Sequence, residues 1–328
     1  MSLALFPASG ALGTSTLTHL LRDLSPSERS SVVFAARYPD KQHLVDAKDK
    51  GVTVKQTDYD ARETLPLAFE GVKTLALISY ASVQNDHRFN SHKAAIDAFL
   101  ASSKEEKKHL VYCSLGFAGP PESTESVTQV MAAHLRTEAY AKQLAAEGKL
   151  SYTIVREGIY SESTPMYTGF FEPATASSFN GKIKIPHDGS GPGVSWVKRD
   201  ELGEATAKIL RAVHFSPAVP AQFSNTTLLL SGPRAVTLAE TVSLLSSVSG
   251  IPLSIEPCSI EEFAALPTVK GVLIYGGHDY ATKWATVFEG IKRGEGAAVT
   301  PTLGELLGRE PTGFTQALKE WWQAEAAQ

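Results

Sequence analysis

The stretch Ser2–Gly13, SLALFPASGALG, decides the fold of this chain of 328 residues. Its apolar run at residues 3–6 predicts a short strand, and the leucines after the turn recur at helical spacing. Gly10 and Gly13 lie in the turn between the two elements. A strand, a glycine turn and a helix in this order predict a loop whose backbone amides bind phosphate groups. The position where such a loop usually has its first glycine holds Pro7, which has no amide hydrogen to donate.

The first half of the chain repeats the same alternation of strand and helix. Candidate strands lie at residues 3–6, 31–36, 52–56, 72–79, 108–114 and 150–156. Several of them are nearly continuous apolar runs, which is typical of strands that helices cover on both faces. The pattern therefore predicts an α/β fold with a doubly wound parallel sheet. Residues 158–193 are rich in turn residues, and a further strand and helix are expected in 194–213.

Composition and charge narrow the class of protein. The net charge of −4 does not favour a nucleic-acid partner, because proteins that bind the phosphate backbone usually carry a basic surplus. The two cysteines, Cys113 and Cys258, do not have the spacing of a metal site or a disulfide framework, and we expect no bound metal. No stretch approaches the roughly 20 apolar residues of a membrane helix. We therefore expect a cytoplasmic protein without a membrane partner.

The glycine turn is the first candidate site. Gly10 would let a pyrophosphate approach the backbone at Ser9, and the amides of Ala11 and Leu12 would point at it from the helix N-terminus. Gly13 would let the helix pack closely on the strand. Because the donors follow Pro7 by several residues, we expect a reshaped turn rather than a lost site. A purely structural helix cap remains the alternative interpretation.

The next two strand ends carry charged residues. Arg37, with Lys41 nearby, follows the second strand, where a guanidinium accommodates the 2′-phosphate of NADP. The sequence therefore predicts NADP(H), although an exposed cation at a strand end is the simpler alternative. After the third strand, Asp58 and Tyr59 are candidates for adenine contacts. Asp60 is equally suited to cap a helix that begins just after it.

Two later strand ends extend the candidate cofactor site along the same edge of the sheet. Ser79, Tyr80 and Ala81 follow the fourth strand, at the middle of the cofactor. Ser114 follows the fifth strand, where the nicotinamide ribose would lie, and Phe117 comes shortly after it. Ligands of doubly wound sheets bind outside the carboxyl ends of the strands, so we expect these residues to meet.

These motifs together resemble a known family. The segments PASGALG, FAARYPDK, DYD, LALIS, VYCS and HLRTEAYAKQLAAEGKLSYTIVREGIYSES are similar to those of the NmrA-like family of atypical short-chain dehydrogenases, and most similar to its quinone oxidoreductases. The resemblance implies a Rossmann-like NADP(H)-binding domain in residues 1–157, to which 194–231 return. It also implies a smaller discontinuous α+β C-terminal domain, residues 158–193 and 232–328, that binds the substrate. Within the family, some members reduce quinones or enones and others act as redox sensors.

The usual catalytic pair of short-chain dehydrogenases is missing, because no tyrosine is followed four residues later by lysine. His134 and Tyr160 are the candidates that orient a substrate, and His134 also covers the cofactor ribose. His134 shares a helix face with Glu138, which we expect to favour its protonated form. Phe117, Tyr160 and Tyr167 are the candidate substrate contacts. A structural His–Glu pair and a core position for Tyr160 are the alternatives.

The sequence therefore predicts an NADPH-dependent oxidoreductase that transfers hydride to a quinone, enone or similar conjugated carbonyl compound. Such an acceptor needs little acid catalysis, which is consistent with the missing pair. Two alternatives stay open: a non-catalytic NADP(H) sensor that regulates a protein partner, and a reductase or isomerase of specialised metabolism. A small-molecule substrate is expected in the first case and the third, and either a homodimer or a regulatory protein is compatible with the sequence.

Overall fold

A computed structural model describes residues 2–102, 107–275 and 277–327 of the chain. Its strands are β1 (Ser2–Phe6), β2 (Val32–Ala36), β3 (Thr53–Gln56), β4 (Val72–Ile78), β5 (Lys108–Leu115), β6 (Leu150–Glu157), β7 (Lys182–Ile185), β8 (Thr226–Leu230), β9 (Ser254–Pro257), β10 (Ile274–Tyr275) and β11 (His278–Asp279). Seven of these strands form one parallel sheet in the order β3-β2-β1-β4-β5-β6-β8. The chain leaves β1 first toward β3 and then crosses to β4, so the order reverses between β1 and β4. This confirms the predicted doubly wound sheet. Sheets of this kind bind ligands outside the carboxyl ends of the strands, where the strand order reverses.

The helices cover both faces of the sheet. They are α1 (Ala11–Asp23), α2 (Pro26–Arg29), α3 (Gln42–Asp49), α4 (Leu65–Ala68), α5 (Asn85–Ala101), α6 (Met131–Ala146), α7 (Thr164–Tyr167), α8 (Arg199–Phe215), α9 (Leu238–Ser249), α10 (Ile260–Ala265), α11 (Ala281–Trp284), α12 (Thr286–Lys292), α13 (Thr302–Leu307) and α14 (Phe314–Ala326). On one face α1 packs against α8, and on the other α5 packs against α6. Two apolar cores result, one on each face. Because both faces are covered, all five residues of β2 are buried, which explains its continuous apolar run.

A third apolar core lies outside the large sheet. It joins aromatic residues from late segments of the chain, among them Trp196, Phe263, Trp284 and Phe288. The parallel pair β7 and β9 and the helices α9 and α10 belong to the same part of the molecule. The predicted domain boundaries stay a prediction, but α13, at residues 302–307, packs against α8 of the sheet layer. Its Leu303 and Leu307 are buried in the core on that face.

The strands expected in the first half agree with the structure to within one residue at each end. The strand expected near 194–197 is wrong: only isolated bridges form there, between Val194 and Val236 and between Tyr160 and Val197. Conversely, β7 lies inside the region expected to be loops. Its sequence, KIKI, alternates exposed and buried residues over only four positions, which is too short for a pattern to stand out. None of the helices in the described residues combines the length and apolar character that a membrane span requires.

Candidate functional site

The glycine turn connects β1 to α1 at the carboxyl edge of the sheet. A Cβ atom on Gly13 would lie 2.4 Å from the carbonyl oxygen of Pro7, so only glycine allows the helix to approach the strand this closely. A Cβ atom on Gly10 would meet no atom within 4 Å. The peptide bond between Phe6 and Pro7 is cis, and the amide of Ala8 donates to the carbonyl of Ala35 at 2.9 Å. The turn is therefore closely packed at Gly13 and open at Gly10.

The open side of this turn is the N-terminus of α1. Gly10 is the N-cap residue, and no side chain caps the helix there. The first amides of a helix have no acceptor within the helix, so those of Ala11 and Leu12 are available to an anion, with the helix dipole adding to the attraction. Together with Ser9, these residues form what we call the phosphate cradle, residues 9–12. A phosphate group fits this cradle for two reasons. The space beside the Cα atom of Gly10 is open, and the amides of Ala11 and Leu12 have no acceptor within the helix.

Two cations lie beside the phosphate cradle. Lys41 donates from Nζ to the carbonyl of Ser9 at 3.4 Å, which attaches the loop after β2 to the cradle. The Nε atom of Arg37 lies 2.8 Å from Oδ2 of Asp58, so these two predicted residues form an ion pair. The Arg37 side chain is 58% exposed. In the part of the chain that the structure describes, the two terminal nitrogens of this guanidinium have no hydrogen-bond partner, so they are available to a phosphate.

The aromatic residues predicted near the adenine occupy different environments. Tyr59 is buried, and its hydroxyl donates to the carbonyl of Ile78 at 2.6 Å, so its ring belongs to the core. Tyr80 is only partly buried, and its hydroxyl donates to Oδ2 of Asp60 at 2.8 Å. Burial and this carboxylate raise the pKa of Tyr80 to about 12. The structure thus leaves Tyr80 and Asp58, rather than Tyr59, at the surface of the site.

A network of hydrogen bonds connects the ends of β4 and β5. The Oγ atom of Ser79 lies 3.2 Å from Nε2 of His92 and accepts from Nε of Arg88 at 3.0 Å. The hydroxyl of Tyr112 lies 3.1 Å from Nδ1 of His134, and this histidine is almost fully buried. Burial lowers the pKa of both His92 and His134 well below the ordinary value. The network therefore consists of neutral imidazoles and hydroxyls beside one guanidinium.

The expectation that Glu138 holds His134 in its protonated form is wrong. Glu138 instead forms a buried ion pair with Arg156, in which Nη2 donates to Oε2 at 2.7 Å and Nε to Oε1 at 3.0 Å. The Oγ atom of Ser114 also donates to Oε1 of Glu138, at 2.6 Å. The carboxylate is thus neutralised by arginine, while burial and the positive charge of Arg88 disfavour a charged imidazole. His134 takes part as a neutral hydrogen-bonding group.

A cavity of about 250 Å³ lies at the carboxyl ends of the central strands. Its wall includes seven of the predicted site residues: Leu12, Ser79, Ala81, Ser114, His134, Tyr160 and Tyr167. The strands β4, β5 and β6 each end at this wall, and Leu12 reaches it from α1, so the sheet brings together residues that are far apart in the sequence. Leu12 lies both in the phosphate cradle and in the wall, so the cavity begins where the cradle ends.

Of the three aromatic candidates for substrate contact, two line the cavity and one does not. Tyr160 and Tyr167 line the cavity. The ring of Tyr167 is held by edge contacts to Trp196 and Trp284, with centroids 5.2 and 5.3 Å apart. Phe117 is fully buried in the third core and does not line the cavity, because Gly290 and Gly296 bring the later chain against its ring. Its predicted contact with a substrate has no support in this position.

Two side chains of the cavity wall that can carry a charge, Arg88 and Glu157, are not among the predicted site residues. Arg88, on α5, reaches the site through Ser79. Glu157, the last residue of β6, lies in the wall next to Tyr160. A carboxyl group at the end of an otherwise apolar strand, within the segment YTIVREGIY, is a signal that could have identified Glu157. No comparable signal distinguishes Arg88 from other arginines on amphipathic helices.

Comparison with known proteins agrees with this geometry. The model of a family described as NAD(P)H-binding matches residues 8–184, more than half of the chain. The chain is 26% identical over 317 residues to the NmrA-like family domain-containing oxidoreductase flvB of Aspergillus flavus, covering 95% of this chain and 92% of that one. It is 28% identical over 316 residues to quinone oxidoreductase 2 of Escherichia coli, covering 96% and 97% of the two chains.

Solved structures show the same similarity in three dimensions. The NADPH complex of the Escherichia coli quinone oxidoreductase superposes with a TM-score of 0.75 at 25% identity, over 98% of this chain and 99% of that one. The NADP(H) complex of the triphenylmethane reductase of Citrobacter sp. superposes with a TM-score of 0.72 at 26% identity, over 98% and 99%. The chain belongs to the NAD(P)H-binding family, and the predicted resemblance to NmrA-like atypical short-chain dehydrogenases is confirmed.

Proposed function

We propose that this chain is an NADPH-dependent oxidoreductase that reduces a quinone or a similar conjugated carbonyl compound. The observation that carries the proposal is the cavity of about 250 Å³, whose wall contains both Leu12 of the phosphate cradle and the aromatic rings of Tyr160 and Tyr167. A cofactor held by the cradle and an acceptor held by the rings would meet in this one cavity. The two relatives solved with NADPH or NADP(H) support the choice of cofactor.

The cofactor end of the site is suited to a phosphorylated dinucleotide. The cradle supplies amide donors and a helix N-terminus for the pyrophosphate. Arg37 and Lys41 supply positive charge beside it, which favours NADPH over NADH because only NADPH carries a 2′-phosphate. When bound, NADPH supplies a hydride to the acceptor. Ser79 and Ser114, at the ends of β4 and β5, line the same cavity, which supports a role for them in orienting the remainder of the cofactor.

The acceptor end of the site is suited to a flat and weakly polar molecule. Its wall is formed by the rings of Tyr160 and Tyr167 and by the side chain of Met166. The contacts of Tyr167 with two buried tryptophans fix one side of this space, so an acceptor would be positioned by rigid surfaces. Positioning of two reactants in one geometry supplies a large part of the acceleration in bimolecular reactions.

The chemistry of a quinone also suits the groups that are present. Hydride transfer to a quinone leaves a phenolate-type oxygen, whose conjugate acid has a pKa near that of tyrosine, about 10. An alkoxide is far more basic, with a conjugate acid closer to water at about 15.7. A strong acid pair is therefore less necessary here, in agreement with a sequence that contains no Tyr-x-x-x-Lys. Neutral His134 offers hydrogen bonding to the oxygen without a fixed charge.

The test is NADPH oxidation by the purified protein with a panel of benzoquinones, naphthoquinones and enones. We expect consumption of NADPH that depends on the acceptor and saturates with its concentration. Titration of NADPH by fluorescence, without an acceptor, measures binding separately. If NADPH binds and every acceptor is inert, the enzymatic proposal is wrong and the sensor hypothesis gains support.

A pair of variants localises the acceptor. Ser163 lies in the cavity wall, is partly buried, and precedes Met166 and Tyr167. The substitution Ser163→Phe fills this space, so we expect the acceptor KM to rise at least about tenfold, with NADPH affinity retained. The matched control is Ser177→Phe, at an exposed position outside the cavity wall, which is expected to leave both constants unchanged. Equal effects of the two variants would contradict the assignment of the acceptor site.

A further inference from the structure

The carboxyl group of Glu157 stands out among the polar groups of the cavity wall. The residue is 2% exposed and ends β6 at the edge where ligands of such sheets bind. Its Oε1 atom accepts a hydrogen bond from Oγ1 of Thr206 at 2.9 Å. Its Oε2 atom is buried and has no hydrogen-bond partner among the described residues. A buried oxygen without a partner is costly, and in native structures it commonly indicates a functional group or an absent ligand.

The neighbouring charges do not stabilise an ionised Glu157. Arg156 precedes it but points to the opposite face of the sheet, as alternate residues of a strand do, and its charge is neutralised by Glu138. Burial raises the pKa of Glu157 to about 8, and the hydrogen bonds from Thr206 and Cys113 oppose this shift only in part. At pH 7 the protonated form of the carboxyl group is therefore favoured. Within the described part of the chain, no acceptor is present for a hydroxyl at Oε2 of this protonated group.

We propose that Glu157 is the proton donor of the acceptor site, with its unpartnered Oε2 hydroxyl directed to the oxygen of a bound quinone or related carbonyl. This inference rests on the proposed function. It assigns to a carboxylic acid the role that the tyrosine of a Tyr-x-x-x-Lys pair has in ordinary short-chain dehydrogenases. Loss of solvent from the cavity on binding would strengthen the hydrogen bond between this hydroxyl and the acceptor.

The step is balanced in atoms and electrons. The acceptor gains a hydride, which is two electrons and one proton, from NADPH, and becomes a hydroquinone monoanion. The O–H bond of Glu157 breaks, and its proton forms the second O–H bond of the hydroquinone. The products are the hydroquinone, NADP+ and the Glu157 carboxylate. The carboxylate then takes a proton from solvent when the product leaves, which restores the starting state.

Other titratable groups around Glu157 do not duplicate this role. Cys113 faces it from β5 and Tyr160 from the segment after β6, and burial raises the pKa of each well above the ordinary value. Both groups therefore hold their protons throughout the neutral range. Tyr167 also lies in the wall, and burial raises its pKa above the ordinary value. His134 and Arg88 complete the titratable and charged groups of the wall. Burial keeps the imidazole of His134 neutral, and the guanidinium of Arg88 binds Ser79, so neither holds a proton that leaves easily near pH 8.

The first test needs neither cofactor nor acceptor. The infrared difference spectrum between wild type and Glu157→Gln is recorded as a function of pH. We expect a protonated-carboxyl band in the wild type at pH 7 that titrates away near pH 8 and is missing from Glu157→Gln. Absence of this band at pH 7 overturns the proposal, because the group would then be ionised and unable to donate.

The second test uses the pH dependence of kcat/KM for a benzoquinone with saturating NADPH. We expect activity to fall above about pH 8 in the wild type, and Glu157→Gln to be about 100-fold slower at pH 7 and to lack this limb. Thr206→Val removes the hydrogen bond that stabilises the carboxylate, so the limb should move to higher pH with the maximal rate retained. If Glu157 had only a structural role, the fall in kcat/KM above about pH 8 would occur at the same pH in Thr206→Val as in the wild type.

The outcomes separate the two proposals. If Glu157→Gln binds NADPH and reduces the quinone at the wild-type rate with the same limb, the donor role alone is overturned. If the wild type reduces no acceptor although NADPH binds, the proposed function fails, and the donor role fails with it. Loss of activity together with loss of the carboxyl band in Glu157→Gln, and a displaced limb in Thr206→Val, support the inference.

Discussion

The ion pair between Arg37 and Asp58 leads to a quantitative prediction for Arg37→Ala. The pair uses only Nε of the guanidinium, so the two terminal nitrogens are available to the 2′-phosphate of NADPH. A hydrogen bond between charged groups contributes about 1.5–3 kcal/mol. Because the Arg37 side chain is 58% exposed, solvent screens this contact, and the lower half of the range applies. We therefore expect the Kd of NADPH to rise about 10- to 40-fold, at about 1.4 kcal/mol per tenfold change.

The assay is a titration of wild type and Arg37→Ala with NADPH and with NADH at one ionic strength. The affinity for NADH is expected to change by less than about threefold, since NADH has no 2′-phosphate. Repetition at high salt should reduce the NADPH difference. The free energy of unfolding should fall by no more than about 1 kcal/mol, because the lost ion pair is exposed.

The chain offers a matched control in Arg22→Ala. Arg22 forms a similar exposed pair, with Nε 3.0 Å from Oδ1 of Asp23, at the far end of α1 from the phosphate cradle. This variant should bind both cofactors like the wild type. Equal losses for NADPH and NADH in Arg37→Ala, or the same NADPH loss in Arg22→Ala, would refute the assignment of the 2′-phosphate site.

Three further predictions concern the cradle, the buried ion pair and pH. Gly10→Ala should fold normally and lose at least about tenfold in NADPH affinity, and wild-type affinity in a cofactor titration would contradict the cradle. Gly13→Ala should instead lower the free energy of unfolding, measured by denaturant melts, by about 1–3 kcal/mol, because its Cβ atom would lie 2.4 Å from a carbonyl oxygen. Arg156→Met leaves Glu138 buried without its cation and should cost about 3–5 kcal/mol of stability, part of which returns when Glu138 is also made apolar; an unchanged melt would contradict the pair's role. The pKa of Glu157 rises on folding from 4.5 to about 8, so the folded state retains a proton that the unfolded chain releases between these values. The contribution of Glu157 to the free energy of unfolding is therefore largest below pH 4.5 and is lost as pH rises through about 8, by about 1.4 kcal/mol per pH unit relative to Glu157→Gln. Denaturant melts that show the same difference between wild type and Glu157→Gln at every pH would refute this.

The large sheet could be predicted from the sequence because most of its strands are short, nearly continuous apolar runs. Apolar runs such as β2 must be covered on both faces, and this requirement leaves few arrangements other than a doubly wound sheet. The turn at Gly10 and Gly13 was predictable for the same reason, since a close approach of helix and strand permits only glycine at the second position.

The electrostatics of the site depended on contacts that no spacing reveals. His134 and Glu138 share a helix face, which led to the wrong expectation of a charged imidazole. The cation that pairs with Glu138 is Arg156, which comes from the adjacent strand and enters only when the sheet forms. Likewise, the short strand β7 exists because β9, some 70 residues later, pairs with it. Contacts between residues that are far apart in the chain, such as these, form only in the folded protein and cannot be recognised in a single sequence.

The packing of α13 against α8 has a consequence for how the molecule is made. Leu303 and Leu307 fill the apolar layer beside α1 and β1, yet they follow those elements by almost the whole length of the polypeptide. A ribosome that has released the first 231 residues has exposed all seven strands of the large sheet, with one of its faces still partly bare. Until the last segments emerge, this surface must remain in water or be shielded by a chaperone.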